Sequence, residues 1–117
     1  MCGNIFEYAM VEISVTTACG IVPVENAEIT VHYPHVPGMN ECLYCVGKTD
    51  KNGRSDTVRL PVQRVTVGDR KVDFPRRAEC DIEIKADGYV KLYTRGVHLF
   101  PGVVVVCSFD LIPNQRN

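Results

Sequence analysis

The stretch Thr49-Asp50-Lys51-Asn52-Gly53-Arg54 lies near the middle of the 117-residue chain and decides how its neighbours can be arranged. Asn and Gly readily adopt the positive φ angles of a tight primed turn, so Asn52-Gly53 predicts a sharp reversal. Residues 43–49 before the turn alternate weakly, and residues 57–60 after it carry two apolar residues on one face. The pattern therefore predicts that these two segments form a β-hairpin with a defined register.

Alternation of apolar and polar residues predicts two strands before this turn. Residues 8–17 place Val11, Ile13 and Val15 on one face, and residues 27–33 alternate in the same way and end at Pro34. A period of two with many β-branched residues is typical of half-buried strands. Segments rich in proline, glycine or charge are expected to be surface loops, and a further segment is expected to extend as an edge strand. The loops are residues 34–40 and 68–77, and the edge segment is residues 62–67.

The second half of the chain predicts another hairpin and a closing strand. Residues 80–86 and 89–93 flank the turn signal Asp87-Gly88, and Arg95-Gly96 is expected to break the second strand before a short strand at 97–100. Residues 103–111 are almost continuously apolar, which is typical of a central strand covered on both faces. Seven or eight short strands without a helical period predict an all-β antiparallel β-sandwich. The prediction is a single domain over residues 1–117 with its core at about 8–113.

Charge and hydropathy exclude several classes of function. Thirteen basic and fourteen acidic residues give a formal net charge of −1, and Arg76-Arg77 is an isolated pair, so a nucleic-acid-binding face is not expected. The longest apolar run, residues 103–107, is much shorter than the roughly 20 residues that span a bilayer. The N-terminus lacks the pattern of a secretory signal, so a cytoplasmic location with six reduced cysteines is expected.

Three stretches resemble a known family. They are ISVTTACGIVPVENA at 13–27, the central TDKNGR, and the closing residues 84–113 with Ala86-Asp87-Gly88-Tyr89, Phe100-Pro101-Gly102 and Leu111-Ile112-Pro113. Together they resemble transthyretin-like and carboxypeptidase regulatory-like domains. The closing pattern is most similar to the transthyretin-like domain of clostridial spore cortex-lytic enzymes and related peptidoglycan-binding chains. The resemblance implies a transthyretin-like (prealbumin-like) sandwich.

The family also implies a role and a place. In those longer bacterial proteins the domain is an accessory module, and the hydrolase and the cell-wall-binding repeats lie elsewhere in the chain. Lytic activity is therefore not expected to carry over, whereas association with the cell wall or spore cortex is. The resemblance adds the interior of a forming spore to the expected locations.

One enzyme on this fold, 5-hydroxyisourate hydrolase, is recognised by a C-terminal Tyr-Arg-Gly-Ser and paired histidines. This chain has Tyr93-Thr94-Arg95-Gly96-Val97-His98, in which the inserted threonine moves the following side chains to the opposite face of a strand. No serine closes the motif, and the stretch is not at the C-terminus. The chain is therefore expected not to be an enzyme, and no catalytic residue or cofactor is assigned.

A metal site is the other candidate chemistry. His32-x-x-His35 and Cys42-x-x-Cys45 supply four ligands of the kinds that zinc prefers, and a reversal of the chain between the pairs would bring them together. On a regular strand, however, the thiols of Cys42 and Cys45 would point to opposite faces. A small metal-binding protein, or a hydroxyisourate-hydrolase-like enzyme, therefore stays open as the alternative function.

Four tyrosines are candidates for a binding surface, because exposed aromatic rings can stack on sugars. They are Tyr33, Tyr44, Tyr89 and Tyr93. The sequence thus favours a non-catalytic binding or assembly module. Its expected partner is a protein, a cell-wall glycan or a second copy of the chain that binds through a sheet edge or face.

Overall fold

The computed structural model describes residues 6–36, 40–63 and 78–114. Eight β-strands account for most of these residues. In chain order they are β1 (Phe6–Thr17), β2 (Val22–Pro23), β3 (Glu28–Tyr33), β4 (Leu43–Lys48), β5 (Val58–Gln63), β6 (Ala78–Lys85), β7 (Leu92–Leu99) and β8 (Val104–Leu111). None of the described residues forms a helix that could span a lipid bilayer.

The strands form two sheets that pack face to face, which confirms the predicted all-β sandwich. In sheet A, β1 pairs antiparallel with β5 and β2 and parallel with β8. Sheet B has the order β4-β3-β6-β7, with every neighbour antiparallel. The long strand β1 is therefore the centre of sheet A, while β3 and β6 are the centre of sheet B.

The core lies between the sheets and follows the predicted alternation. Val11, Ile13 and Val15 of β1 are fully buried, and so are the alternate residues of β3 and β6 across the interface. Burying a side chain of this size contributes about 1.5–3 kcal/mol, so the inward rows stabilise the fold more than any surface contact. The buried residues of sheet B are Ile29, Val31, Tyr33, Cys80, Ile82, Ile84 and Leu99, and Ala27 is buried just before β3.

A turn forms at the predicted place, but the predicted primed turn and the predicted hairpin around it are wrong. The Gly53 N–H donates to the Asp50 carbonyl at 2.9 Å, and of Asn52 and Gly53 only Gly53 has a positive φ. Asp50 and Arg54 close a tight loop, in which the Asp50 carboxylate accepts from the N–H groups of Asn52 at 2.8 Å and Arg54 at 3.0 Å. The strands on either side do not pair with each other, since β4 joins β3 in sheet B and β5 joins β1 in sheet A. The turn is a crossing between the two sheets, because each strand finds its partner elsewhere.

The predicted central position of the last strand is also wrong. Strand β8 pairs with β1 alone among the described strands, so it lies at an edge of sheet A. Its residues alternate between half-buried and exposed, with Val104 and Val106 on the outer surface. A continuous apolar run therefore does not mark burial on both faces here.

Smaller differences concern strand ends. A β6–β7 hairpin forms, but its second strand begins at Leu92 and not at Tyr89 as predicted, and residues 88–90 bond to residues 112–114 instead. Arg95-Gly96 does not break β7, because the extra residue is absorbed as a bulge. Strand β5 continues through Pro61 to Gln63. The predicted edge segment 62–67 and the loops 34–40 and 68–77 lie partly or wholly outside the described residues.

Replacement of Gly53 by alanine tests the sheet crossing. Gly53 has a φ of +76°, and a Cβ there would overlap the carbonyl oxygen of Val15 on β1. Gly88 has a φ of +86° with nothing within 4 Å, so Gly88→Ala is a matched control for the backbone strain alone. We expect Gly88→Ala to lower the free energy of unfolding by about 1 kcal/mol and Gly53→Ala by about 3 kcal/mol or more. Equal losses in urea titrations of the two variants would contradict the close approach.

Candidate binding face

The outer surface of sheet B carries two exposed tyrosines on its outermost strands. Tyr44 of β4 is 60% exposed and Tyr93 of β7 is 48% exposed. Strands β3 and β6 lie between them, so the two strands are about 14 Å apart at a spacing of about 4.8 Å per strand. We call this surface the tyrosine face. It comprises the outward-facing Thr30, His32, Tyr44, Val46, Glu79, Asp81, Glu83, Tyr93 and Arg95.

Tyr44 is held in place by a row of contacts that crosses the sheet. Its ring stacks on that of His32, with centroids 4.4 Å apart and planes within 11°. His32 Nδ1 lies 3.7 Å from Asp81 Oδ2, an ion pair when the imidazole is protonated. The other oxygen of Asp81 accepts a hydrogen bond from the Gly96 N–H at 3.0 Å. The bulge in β7 thus orients the carboxylate that faces His32.

Tyr93 has its own fixed neighbour on the opposite side of the face. The Arg95 guanidinium lies over the Tyr93 ring, 5.2 Å from its centroid, because side chains two residues apart on a strand share one surface. Glu83 lies opposite Tyr93 on β6 and is 3.5 Å from the ammonium of Lys91. The result is an aromatic ring at each side of a central stripe of carboxylates.

The other two predicted tyrosines are not part of this face. Tyr33 is 0% exposed and its hydroxyl donates to the Pro61 carbonyl at 2.7 Å, so it is a core residue and its prediction as a surface residue is wrong. Its position on β3 has the parity of Ile29 and Val31, which point inward. Tyr89 is half-buried and packs against the core, where it forms an isolated bridge with Pro113.

The four predicted metal ligands are dispersed. His32 lies on the outer surface of sheet B, whereas Cys45 points inward beside it and packs against the core, because neighbouring residues of a strand face opposite sides. His35 and Cys42 are exposed just outside the ends of β3 and β4. The residues that the structure describes contain no group of three or more His, Cys, Asp or Glu side chains that could hold an ion. The geometry therefore contradicts this ligand set.

The hydrolase-like stretch 93–98 lies within β7. Arg95 lies over the Tyr93 ring, and His98 Nε2 is 3.8 Å from a Glu79 carboxylate oxygen. The His98 ring also stacks on that of Phe100, with centroids 6.5 Å apart. These contacts are ordinary contacts of a sheet surface, and they account for residues 93–98 without a catalytic role.

A groove on sheet A was not predicted. It has a volume of about 410 Å³ and lies where β5 leaves β1 and the central turn approaches. Polar side chains line most of it, among them Glu12, Ser14, Asp50, Arg54 and Ser108. Sequence reasoning missed it because its walls come from three separate segments.

No family model matches the chain, and no curated protein matches it. Solved structures do resemble its fold. The 3-chlorocatechol 1,2-dioxygenase of Rhodococcus opacus 1CP matches 97% of this chain and 63% of its own with a TM-score of 0.65 and 14% identity. The catechol 1,2-dioxygenase of Pseudomonas arvilla C-1 matches 99% and 55% with a TM-score of 0.66 and 15% identity.

A mutant catechol 1,2-dioxygenase of Acinetobacter radioresistens matches 94% of this chain and 53% of its own, with a TM-score of 0.63 and 14% identity. The chain thus spans between about half and two thirds of the dioxygenases that it resembles. At this level of identity the likeness shows the fold alone.

The buried ionisable groups beneath the face predict a loss of stability in alkali. Burial raises the pKa of Tyr33 to about 12, with a further contribution from Cys80. Burial also raises the pKa of the Cys80 thiol to about 12, with smaller contributions from Cys107, Asp81 and Cys45. Both groups are neutral in the native state. The unfolded chain therefore releases these protons first, and stability is lost as the pH rises from about 9 towards 12.

A cysteine variant isolates the contribution of Cys80. Cys80→Val keeps an apolar side chain but removes the thiol, so its free energy of unfolding should fall less than that of the wild type between about pH 8 and about pH 11. Cys42→Val removes an exposed thiol and should follow the wild-type pH dependence. Urea titrations at each pH give the comparison. Parallel curves for Cys80→Val and the wild type would refute the assignment of a buried neutral thiol.

Proposed function

We propose that the chain is a non-catalytic binding module that holds a cell-wall glycan on the tyrosine face. The observation that carries this proposal is the pair of exposed tyrosines, Tyr44 and Tyr93, each oriented by one neighbouring side chain. A ring that is already held in one orientation loses little conformational entropy when a ligand stacks on it. Two oriented rings on one face favour a ligand with flat surfaces that repeat along its length.

The polar groups between the tyrosines suit a sugar chain. Asp81, Glu83 and Glu79 form a stripe on β6, and carboxylate oxygens accept hydrogen bonds from sugar hydroxyls. The distance between β4 and β7 is greater than one sugar ring, so the face would accommodate an extended oligosaccharide. The resemblance of the closing sequence to domains of peptidoglycan-associated proteins supports a cell-wall source for this ligand.

The alternatives have less support. The alternative metal site needs His32 and Cys45 on one side of β-sheet B, and they lie on opposite sides. The dioxygenase activity named for the similar structures is not carried over, because the likeness extends to the fold alone. A binding role, by contrast, requires only an exposed surface, and the described residues form one in the tyrosine face.

Alanine variants of the tyrosines test the proposal. The probes are insoluble peptidoglycan in a co-sedimentation assay and an N-acetylglucosamine oligomer in calorimetric titration. We expect Tyr44→Ala and Tyr93→Ala each to weaken binding about tenfold or more, because such a loss corresponds to about 1.4 kcal/mol, which is common for a central aromatic contact.

Tyr8→Ala is the matched control. Tyr8 is also exposed and lies under the Arg59 guanidinium at 4.7 Å, but it projects from sheet A on the other side of the sandwich. This variant should bind like the wild type. The proposal fails if the wild-type protein binds neither probe, or if Tyr8→Ala weakens binding as much as the two tyrosine-face variants.

A further inference from the structure

The turn at the sheet crossing contains a chemically reactive pair, because Asn52-Gly53 is the only asparagine in the sequence that is followed by glycine. The backbone nitrogen of a residue can attack the carboxamide of a preceding asparagine, and glycine has no Cβ to hinder the approach. A bond forms between Gly53 N and Asn52 Cγ, and the side-chain nitrogen leaves as ammonia with the proton of the Gly53 N–H. Water then opens the resulting cyclic succinimide to aspartate or isoaspartate.

The folded turn exposes one reactant and restrains the other. The Asn52 side chain is exposed, whereas Gly53 is buried and its N–H donates to the Asp50 carbonyl at 2.9 Å. The attack requires this nitrogen to lose its proton and to approach the carboxamide. The hydrogen bond to Asp50 must therefore break before the reaction can begin.

Two further contacts hold the backbone on both sides of the reacting bond. The Asp50 carboxylate accepts from the Asn52 N–H at 2.8 Å and the Arg54 N–H at 3.0 Å. The N–H groups of Arg54 and Asn52 lower the pKa of this carboxyl, so it stays charged in the alkaline range where amide nitrogens are most readily deprotonated. The Gly53 carbonyl accepts from the Val15 N–H at 2.7 Å. The turn can thus open only if the crossing loosens.

We infer that Asn52-Gly53 is a modification site that the folded turn protects and that reacts when the crossing opens, so that the opening becomes irreversible. The succinimide has no Gly53 N–H to donate to Asp50. Isoaspartate restores an N–H but adds a methylene group to the main chain, which displaces Gly53 from its place against β1. That place has no room to spare, since even a Cβ on Gly53 would overlap the Val15 carbonyl oxygen.

The first test compares the folded chain with the chain unfolded in guanidinium chloride during ageing at mildly alkaline pH. Isoaspartate is measured by enzymatic methylation, and ammonia release is measured in parallel. We expect the unfolded chain to react about tenfold faster or more, because a slow reaction of the folded chain follows its open fraction. A tenfold difference corresponds to an opening free energy of about 1.4 kcal/mol.

Asn52→Ala is the matched control for this comparison. It retains the other asparagines and also Asp87-Gly88, which can cyclise by the same route but releases water in place of ammonia. The difference between the wild type and this variant therefore measures the reaction of Asn52 alone. Equal rates in the folded and unfolded wild type would refute protection by the turn. An unfolded wild type that forms no more isoaspartate and ammonia than Asn52→Ala would refute the site.

The second test loosens the turn without changing the reacting pair. Asp50→Ala removes the acceptor of two turn hydrogen bonds, so the folded variant should react about threefold faster or more than the wild type. Asp56→Ala removes another exposed carboxylate of the same loop and should react like the wild type. Both variants should match the wild type in guanidinium chloride. Equal acceleration by the two substitutions, or by neither, would contradict the role of the turn, and thermal unfolding verifies that each variant is folded.

The third test concerns irreversibility. The wild type is aged in guanidinium chloride and then refolded by dilution, and the fraction that does not regain the original thermal transition should equal the fraction that contains isoaspartate. Asn52→Ala aged in the same way should regain its transition completely. Isoaspartate-containing chains that regain the original transition would overturn the inference. None of these outcomes depends on glycan binding, because the reaction is followed in the chain alone.

Discussion

The fold depends on the place where the chain crosses from sheet B to sheet A against the backbone of β1. The Val15 N–H donates to the Gly53 carbonyl at 2.7 Å, and the Ser55 N–H donates to the Ile13 carbonyl at 3.0 Å. At the start of the crossing, the Thr49 hydroxyl donates to the Val24 carbonyl at 2.7 Å and accepts from the Ala27 N–H at 2.9 Å. Because these groups are buried, losing one would leave an unsatisfied partner. The crossing thus fixes how the two sheets are placed.

This crossing shows what could and could not be predicted from the sequence. Alternation identified β1, β3 and β6 and their inward faces, because burial on one side imposes a period of two on any strand. The place of the central turn was also predicted, since its chemistry is local, although its primed type was not confirmed. The pairing partners of the flanking strands β4 and β5 were not predicted. The same turn and the same alternation are compatible with a hairpin and with a crossing between sheets. Pairing is decided by distant residues such as Ile13 and Ala27.

For the candidate site, too, the local features could be predicted from the sequence, whereas those that depend on strand pairing could not. The exposure of Tyr44 and Tyr93 depends on strand parity, and the parity of Tyr33 already placed it with the buried residues of β3. The stacking of His32 on Tyr44 depends on the register between β3 and β4, which the sequence does not specify. The edge position of β8 was hidden because Val104 and Val106 are as apolar as the inward Val105, so composition alone could not separate the exposed row from the buried one.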